Sequence, residues 1–175
     1  MKVGIIDYGS GNLHSAKKAF ERAVVDAGSA DLIELVTDPD ALLTFDRIVL
    51  PGVGAFRDCR AGLERLPGMI EALEEGVVRR GRPFFGICVG MQLMATRGLE
   101  HLPTPGFGWI EGEVVPVAPT DRLLKVPHMG WNTITPTQEH EVLKGIPLGE
   151  NGWHAYFVHS FHLDRKSTRL NSSHT

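Results

Sequence analysis

The chain has 175 residues, with 18 Lys and Arg against 21 Asp and Glu and a formal net charge of −3. At about 150 residues per domain, this length predicts one compact domain. The near-balanced charge and the lack of a basic run argue against nucleic-acid binding. No apolar stretch reaches the roughly 18 residues of a membrane span. Two cysteines are too few for a disulfide framework, so we expect a reducing, cytoplasmic setting.

The first half of the chain alternates short apolar runs with amphipathic segments, a pattern typical of parallel strands joined by helices. We predict a strand over Lys2–Ile6 and a helix over about Asn12–Ala27. The apolar positions that this helix should bury on the sheet are Leu13, Ala16, Phe20, Ala23, Val24 and Ala27. Further strands are predicted over Leu32–Val36, Arg47–Leu50 and Pro83–Ile87, and helices over Arg57–Leu66, Met69–Arg80 and Val89–Thr96.

Beyond Gly98 the sequence changes to short apolar runs separated by Pro and Gly, which predicts antiparallel strands. These runs are Phe107–Val117, Lys125–Ile134 and Trp153–Leu163. The predicted fold class is therefore α/β, with an open, mostly parallel sheet, flanking helices, and antiparallel strands in the C-terminal half. We expect a single domain over residues 1–165. Residues 166–175 carry one apolar side chain and no periodicity, which predicts a disordered or non-native tail.

The segment Gly86-Ile87-Cys88-Val89-Gly90 has the form G-x-C-x-G between a predicted strand and a predicted helix. This is the pattern of a nucleophile elbow with cysteine as the nucleophile. The sharp turn strains the central residue and brings the two flanking positions together, where glycine alone avoids a clash. The start of the helix favours the thiolate of Cys88. The alternative is that Cys88 is a buried structural cysteine. We interpret the other cysteine, Cys59, as structural.

A cysteine that attacks a carbonyl also needs backbone N–H groups to bind the oxyanion of the tetrahedral intermediate. The loop Pro51-Gly52-Val53-Gly54 follows an earlier predicted strand, at the edge where open α/β sheets bind ligands. The N–H of Val53 or Gly52, together with that of Val89, is therefore predicted to form the oxyanion hole. On its own, the P-G-x-G pattern is a common turn and is weak evidence for an oxyanion hole.

Five stretches carry a resemblance to a known family. The elbow and the loop resemble those of the class I, triad-type glutamine amidotransferases. Three other stretches narrow the resemblance to the glutaminase subunits of imidazole glycerol phosphate synthases. The five are Gly86–Met94, Leu50–Phe56, Ile6–Leu13, Lys125–Asn132 and Ala155–Phe161, and the resemblance runs from Lys2 to about Leu163.

The resemblance implies a glutaminase in a heterodimer of the histidine pathway. Cys88 would attack the side-chain amide of glutamine, giving a glutamyl thioester and ammonia, and water would release glutamate. Ammonia would pass to a (β/α)8 cyclase subunit, which makes imidazole glycerol phosphate and an aminoimidazole carboxamide ribotide. Gln92 and the backbone at Gly52, Ser160 and Phe161 would hold the glutamine. We expect no metal or other cofactor.

The same resemblance implies a surface for the cyclase and the ammonia exit. It comprises Asn12 and, from the segment Lys125–Asn132, the residues Lys125, Pro127, His128, Met129, Gly130, Trp131 and Asn132. Without the resemblance, Pro127–Trp131 could equally be a β-turn with core aromatic residues. His128, His159 and His162 would then be structural histidines.

The histidine and the carboxylate of the triad are missing from the sequence. In the family they occur in a His-Pro-Glu segment, and neither His-Pro-Glu nor His-x-Glu occurs here. We expect that unrelated sequence has replaced the native C-terminus, exposing apolar sheet surface and lowering solubility. Glutamine turnover should then be lower by about 10⁴-fold or more. The alternative is that His128, His154, His159 or His162 acts as the base.

Three other functions remain open. Another class I glutamine amidotransferase, feeding purine, anthranilate or pyridoxal synthesis, is disfavoured by Ile6–Leu13 and Lys125–Asn132. A cysteine peptidase or thiol hydrolase of similar fold would cleave peptides or esters without a preference for glutamine. A catalytically dead partner-binding module would bind a partner, and a glutamine-analogue electrophile would not label Cys88.

Overall fold

The computed structural model describes residues 1–121 and 123–164. The chain divides into two compact units, of which the first is Met1–Val115 with Leu163 and Asp164, and the second is Pro116–His162. Among the described residues, no helix is long and apolar enough to cross a membrane.

The first unit contains a four-stranded parallel sheet in the order β2-β1-β3-β4. Its strands are β1 (Lys2–Ile6), β2 (Leu32–Val36), β3 (Arg47–Gly52) and β4 (Phe84–Cys88). The two inner strands, β1 and β3, are buried at every position after their first residue. Continuous burial of this kind is typical of parallel strands covered on both faces. The core of this unit therefore centres on β1 and β3, and the carboxyl ends of β3 and β4 lie side by side.

Helices follow these strands, and the short helix at 39–42 was not predicted from the sequence. They are α1 (Leu13–Asp26), α2 (Pro39–Leu42), α3 (Phe56–Glu64), α4 (Met69–Leu73) and α5 (Val89–Gln92), and α4 continues as a π-helical segment, Glu74–Arg79. The α1 residues Leu13, Phe20 and Val24 are half-buried against the sheet. Ala23 and Ala27 are exposed, so the expected apolar face is buried only in part.

Strand β4 has an exposed edge. Among the described strands of this sheet, it pairs with β3 alone. Phe85 on β4 is 55% exposed, although its ring packs edge-to-face on that of Phe20 at 6.1 Å between centroids. An unpaired strand edge with an exposed aromatic side chain is a feature that favours aggregation.

Shorter strands form the remaining sheets. In the order β10-β7-β5-β6, the second sheet contains β5 (Ala95–Gly98), β6 (Thr104–Pro105), β7 (Ile110–Pro116) and β10 (Phe161–Asp164). In the second unit, β8 (His128–Thr133) and β9 (His154–His159) form an antiparallel pair. The predicted fold class is confirmed, with one correction in detail. Strand β7 lies parallel to β5, whereas β5 and β6 are antiparallel.

The predicted helix over Val89–Thr96 is wrong after its first turn, since α5 ends at Gln92. After Gln92 the backbone is instead hydrogen-bonded to the segment 107–110. Phe107 N–H donates to the Leu93 carbonyl at 2.7 Å, and Ile110 N–H donates to that of Met94 at 2.9 Å. The backbone therefore continues as β5. The predicted tail at 166–175 lies outside the described residues.

Candidate active site

Cys88 ends β4 and immediately precedes α5. Its backbone angles are φ 53° and ψ −114°. A non-glycine residue with a positive φ is uncommon, and such strain is found preferentially at functional sites. The Cys88 side chain is exposed. The strand-to-helix turn thus presents a strained, accessible thiol, which is the arrangement that a nucleophile elbow requires.

The glycines around Cys88 allow backbone segments to approach closely. A Cβ atom on Gly90 would lie 1.8 Å from the carbonyl oxygen of Leu50 in β3. A Cβ atom on Gly86 would lie 2.5 Å from the Met91 backbone and 2.8 Å from the Gly90 carbonyl carbon. Because these neighbours are backbone atoms, they cannot move aside as a flexible side chain could. Any side chain at either position would displace the turn that carries Cys88.

The loop Pro51–Gly54 lies next to this turn. Gly52 is directly opposite Cys88 in the β3–β4 register. A Cβ atom on Gly52 would lie 2.8 Å from the Gly90 nitrogen and 3.1 Å from the Val89 Cβ atom. The fold therefore brings together Gly52, Cys88 and Val89, three of the residues that the sequence assigned to one site.

Val53, the other residue of this loop predicted to donate to the oxyanion, is already hydrogen-bonded. Its N–H donates to the Ser10 hydroxyl oxygen at 3.2 Å. The same hydroxyl donates to the Val53 carbonyl at 2.9 Å. In this conformation the Val53 N–H is directed at Ser10, and the Gly52 N–H is used in the pairing of β3 with β4.

The residues expected to hold glutamine are divided between the two units. Gln92 lies on α5, four residues after Cys88, and is 8% exposed, a rare degree of burial for an amide side chain. Ser160 and Phe161 belong to the second unit. The Ser160 carbonyl accepts a hydrogen bond from Val117 N–H at 2.8 Å.

No side-chain hydrogen bond or ion pair joins the Cys88 thiol to another of the described residues. The four histidines considered as alternative bases all lie in the second unit. There the His128 and His159 rings are hydrogen-bonded at 3.1 Å, and His159 Nδ1 donates to the Phe161 carbonyl at 3.0 Å. Because this bond leaves His159 Nε2 as the acceptor, His128 Nδ1 is the donor between the rings. His128 and His159 thus have the mutual contacts of structural histidines.

A group of three side chains lies behind the loop, and sequence analysis did not identify it. We call Tyr8, Ser10 and Cys59 the loop cradle. The Tyr8 hydroxyl donates to the Pro51 carbonyl at 2.7 Å, and the fully buried Cys59 thiol donates to the Val53 carbonyl at 3.4 Å. Ser10 and Cys59 also contact each other, with 3.4 Å between Oγ and Sγ. Burial, reinforced by the hydrogen bond to Cys59, raises the pKa of Tyr8 well above its usual range.

This raised pKa predicts a loss of stability in alkali that Tyr8→Phe should reduce. Above about pH 10 an unfolded chain loses its tyrosine protons, whereas the folded protein keeps that of Tyr8. The free energy of unfolding should therefore fall as the pH rises from about 10, and fall less in Tyr8→Phe. Urea unfolding of both proteins at about pH 8 and about pH 10.5 measures the difference. Equal losses in the two proteins would contradict the prediction.

The strands β8 and β9 present an apolar face in the second unit. Trp131 is opposite Tyr156 in the register, and Met129 is opposite Val158. All four side chains are exposed, and the Trp131 and Tyr156 rings lie 5.4 Å apart. Sequence analysis identified Met129 and Trp131 but not their partners, although the alternation along Trp153–Leu163 carried that signal.

The other residues assigned to the partner surface have different positions. Gly130 and Asn132 lie within β8, and Lys125 and Pro127 shortly precede it. His128 lies on the opposite face of the pair from Trp131, stacked on Phe157. Asn12 belongs to the first unit, where its side chain accepts a hydrogen bond from Ser15 N–H at 3.1 Å and caps α1.

Comparisons with known proteins identify the family of the chain. The family described as glutamine amidotransferase class-I matches residues 5–175, so the chain belongs to the class-I glutamine amidotransferases. It is 61% identical over 163 residues to the imidazole glycerol phosphate synthase subunit HisH of Rhodopseudomonas palustris. It is 62% identical over 163 residues to the subunit of the same name from Rhizobium meliloti. Each alignment covers 93% of this chain and 76% of the relative.

A solved structure shares the fold. It is described as the crystal structure of a glutamine amidotransferase, and the similarity has a TM-score of 0.64 at 17% identity. The superposition covers 93% of this chain and 74% of the other. At this identity the similarity supports the α/β architecture alone.

Proposed function

We propose that the chain is the glutaminase subunit of an imidazole glycerol phosphate synthase, in which Cys88 is the nucleophile. The observation that carries the proposal is the strained, exposed Cys88, set between glycines that a side chain could not replace. Identities of 61% and 62% to subunits of that synthase supply the substrate class. The product ammonia is used in histidine biosynthesis.

The chemistry is acyl transfer through a thioester. The Cys88 sulfur forms a bond to the side-chain carbonyl carbon of glutamine, and negative charge moves to the carbonyl oxygen. Backbone N–H groups of Val89 and of the loop Pro51–Gly54 stabilise this oxyanion. Collapse of the intermediate breaks the carbon–nitrogen bond, and the nitrogen takes up a proton and leaves as ammonia. Water then adds to the thioester, releasing glutamate and regenerating the thiol.

Proton transfer in both steps requires a general acid–base group. No His-Pro-Glu segment, which holds this group in the resembling family, occurs in the sequence. Acylation and alkylation of Cys88 remain measurable one event at a time, so they test the proposal without relying on a fast catalytic cycle.

Protection by the substrate tests the proposal directly. A chloroketone analogue of glutamine should alkylate Cys88, and free glutamine should slow this reaction competitively. Equal concentrations of glutamate, or of a short peptide amide, should protect much less. Peptide mapping by mass spectrometry identifies the alkylated cysteine. Alkylation that peptides or esters block as well as glutamine does would favour a thiol hydrolase, and no alkylation would favour a binding module.

We further propose that ammonia passes to a (β/α)8 cyclase subunit in a cytoplasmic heterodimer. The exposed face formed by Met129, Trp131, Tyr156 and Val158 supports this proposal. Aromatic residues and methionine are enriched at protein interfaces. Asn12 is assigned to the same interface by resemblance.

Trp131→Ala should weaken binding of the cyclase subunit by about 30-fold or more, because a large aromatic anchor contributes about 2 kcal/mol or more. Trp153→Ala is the matched control. Trp153 is 67% exposed in the same unit, against 70% for Trp131, and precedes β9. Isothermal titration of each variant with a cyclase subunit gives the dissociation constants. Equal effects of the two substitutions would contradict the assignment of this face.

A further inference from the structure

The outer edge of strand β4 has no partner strand among the described residues. In the order β2-β1-β3-β4, β4 is the last strand and pairs with β3 alone. Its sequence, Phe-Phe-Gly-Ile-Cys, contains no charged residue and no proline. Charges, prolines and bulges are the features that keep edge strands from pairing with other chains. The opposite edge strand, β2, has Glu34 at its centre, so β4 lacks a protection that β2 has.

Contacts with β3 show which backbone groups face the open edge. The Ile48 N–H donates to the Pro83 carbonyl at 3.0 Å, so Pro83, which precedes β4, faces β3. Along a strand, the N–H and carbonyl of successive residues point alternately to one side and the other. Those of Phe85 therefore point towards β3, and those of Phe84 and Gly86 point away from it. The open edge presents the N–H and the carbonyl of Phe84 and of Gly86.

This edge is complementary to a second copy of itself in an antiparallel arrangement. When Phe84 of one copy lies opposite Gly86 of the other, the two residues exchange two hydrogen bonds, and a two-fold axis generates the equivalent pair. All of the edge groups of both copies are then used. Phe85 lies directly opposite the same residue of the other copy, at the kind of position where side chains approach most closely.

The side chains at the edge favour the same arrangement. Phe85 is 55% exposed, and its ring packs edge-to-face on that of Phe20. Pairing brings both rings of each copy close to the two-fold axis, where aromatic pairs across strands are stabilising. Residues 165–175, which lie outside the described part of the chain, contain one apolar side chain, Leu170, and so offer little to cover these rings.

We propose that the chain forms a homodimer through β4, with Phe85 on the two-fold axis and the two four-stranded sheets joined into one. The occupant of the open edge is thus a second copy of the chain. Cys88 lies beyond the residues that pair, and the pairing uses no residue of the second unit. The proposal is therefore independent of the glutaminase chemistry and of the face assigned to a cyclase subunit.

Sedimentation velocity of the full chain over a range of concentrations tests the proposal. We expect a monomer–dimer equilibrium without larger species, because a two-fold pair leaves no open β4 edge. Phe85→Lys should raise the dissociation constant by about 100-fold or more, since each copy loses an aromatic anchor and like charges lie opposite each other. Leu32→Lys is the matched control. Leu32 is 52% exposed on the other edge strand, β2, and its substitution should change the constant by less than about twofold.

A disulfide tests the register of the two strands. In Phe85→Cys the two new thiols would lie opposite each other with a Cα separation of about 4.5 Å, which suits a disulfide. The substitution is made in a Cys88→Ser chain, so that the exposed native thiol does not react. Oxidised glutathione should convert this protein to a covalent dimer, and convert much less of a Leu32→Cys protein in the same background.

A wild-type chain that stays monomeric would overturn the proposal. Species larger than a dimer would also overturn it, because they require an open-ended contact such as β4 on β2. The same holds if folded Phe85→Lys dimerises as the wild type does. Circular dichroism shows whether Phe85→Lys is folded. If it is not, the disulfide decides, and no covalent dimer of Phe85→Cys in excess over Leu32→Cys counts against the proposal.

Discussion

Cys88→Ser should lower the rate of alkylation by a chloroketone analogue of glutamine by at least about 10⁴-fold. The serine hydroxyl is a far weaker acid than a thiol, so almost no alkoxide is present near neutral pH. The backbone strain at this position and the glycines around it are unchanged by the substitution. Intact mass measured over a time course gives the rate in both proteins.

The second cysteine makes the assignment specific. Cys59 is fully buried behind the loop, whereas Cys88 is exposed. In the wild-type protein we expect the alkyl group on the peptide that contains Cys88 and none on the peptide that contains Cys59. A Cys88→Ser protein that reacts at the wild-type rate would remove Cys88 from the proposed chemistry.

Gly90→Ala should destabilise the first unit by at least about 3 kcal/mol and lower the melting temperature by roughly 10 °C. The new Cβ atom would lie 1.8 Å from the Leu50 carbonyl oxygen, which is backbone of the central strand β3. The clash can be relieved only by moving α5 away from β3, and this movement displaces Cys88. Thermal unfolding followed by circular dichroism measures the loss.

Gly76→Ala is the matched control for this prediction. Gly76 is also buried, but a Cβ atom there would meet only side-chain atoms, the nearest being Ile48 Cδ1 at 3.2 Å. We expect its free energy of unfolding to stay within about 1 kcal/mol of the wild-type value, because alanine is favoured over glycine in helices. Similar losses in the free energy of unfolding of Gly90→Ala and Gly76→Ala would contradict the role assigned to the close backbone contact at Gly90.

The local pattern of the sequence predicted the strands of the parallel sheet and the geometry at Cys88. Both depend on neighbours in sequence. Strand burial follows from continuous apolar runs such as Arg47–Leu50, and the elbow follows from glycines two residues on either side of one cysteine. The structure extends β3 to Gly52 and thereby pairs the loop with Cys88.

Features that depend on distant residues were not predictable in this way. Beyond α5, Phe107 and Ile110 bond to the carbonyls of Leu93 and Met94, and no local pattern predicts those partners. The loop cradle likewise joins Tyr8 and Ser10 to residues more than 40 positions away. The bond between the Val53 N–H and Ser10 also joins distant positions, and motif spacing cannot predict it.

The central claim is that Cys88 accepts the glutamyl group of glutamine. It is tested most directly by mixing the full chain with glutamine, quenching in acid over a time course, and measuring both the intact mass and the released ammonia. We expect a glutamyl group that maps to Cys88, release of ammonia, and loss of both in Cys88→Ser. The absence of both a glutamyl group on Cys88 and Cys88-dependent ammonia, with and without a cyclase subunit present, would contradict this assignment.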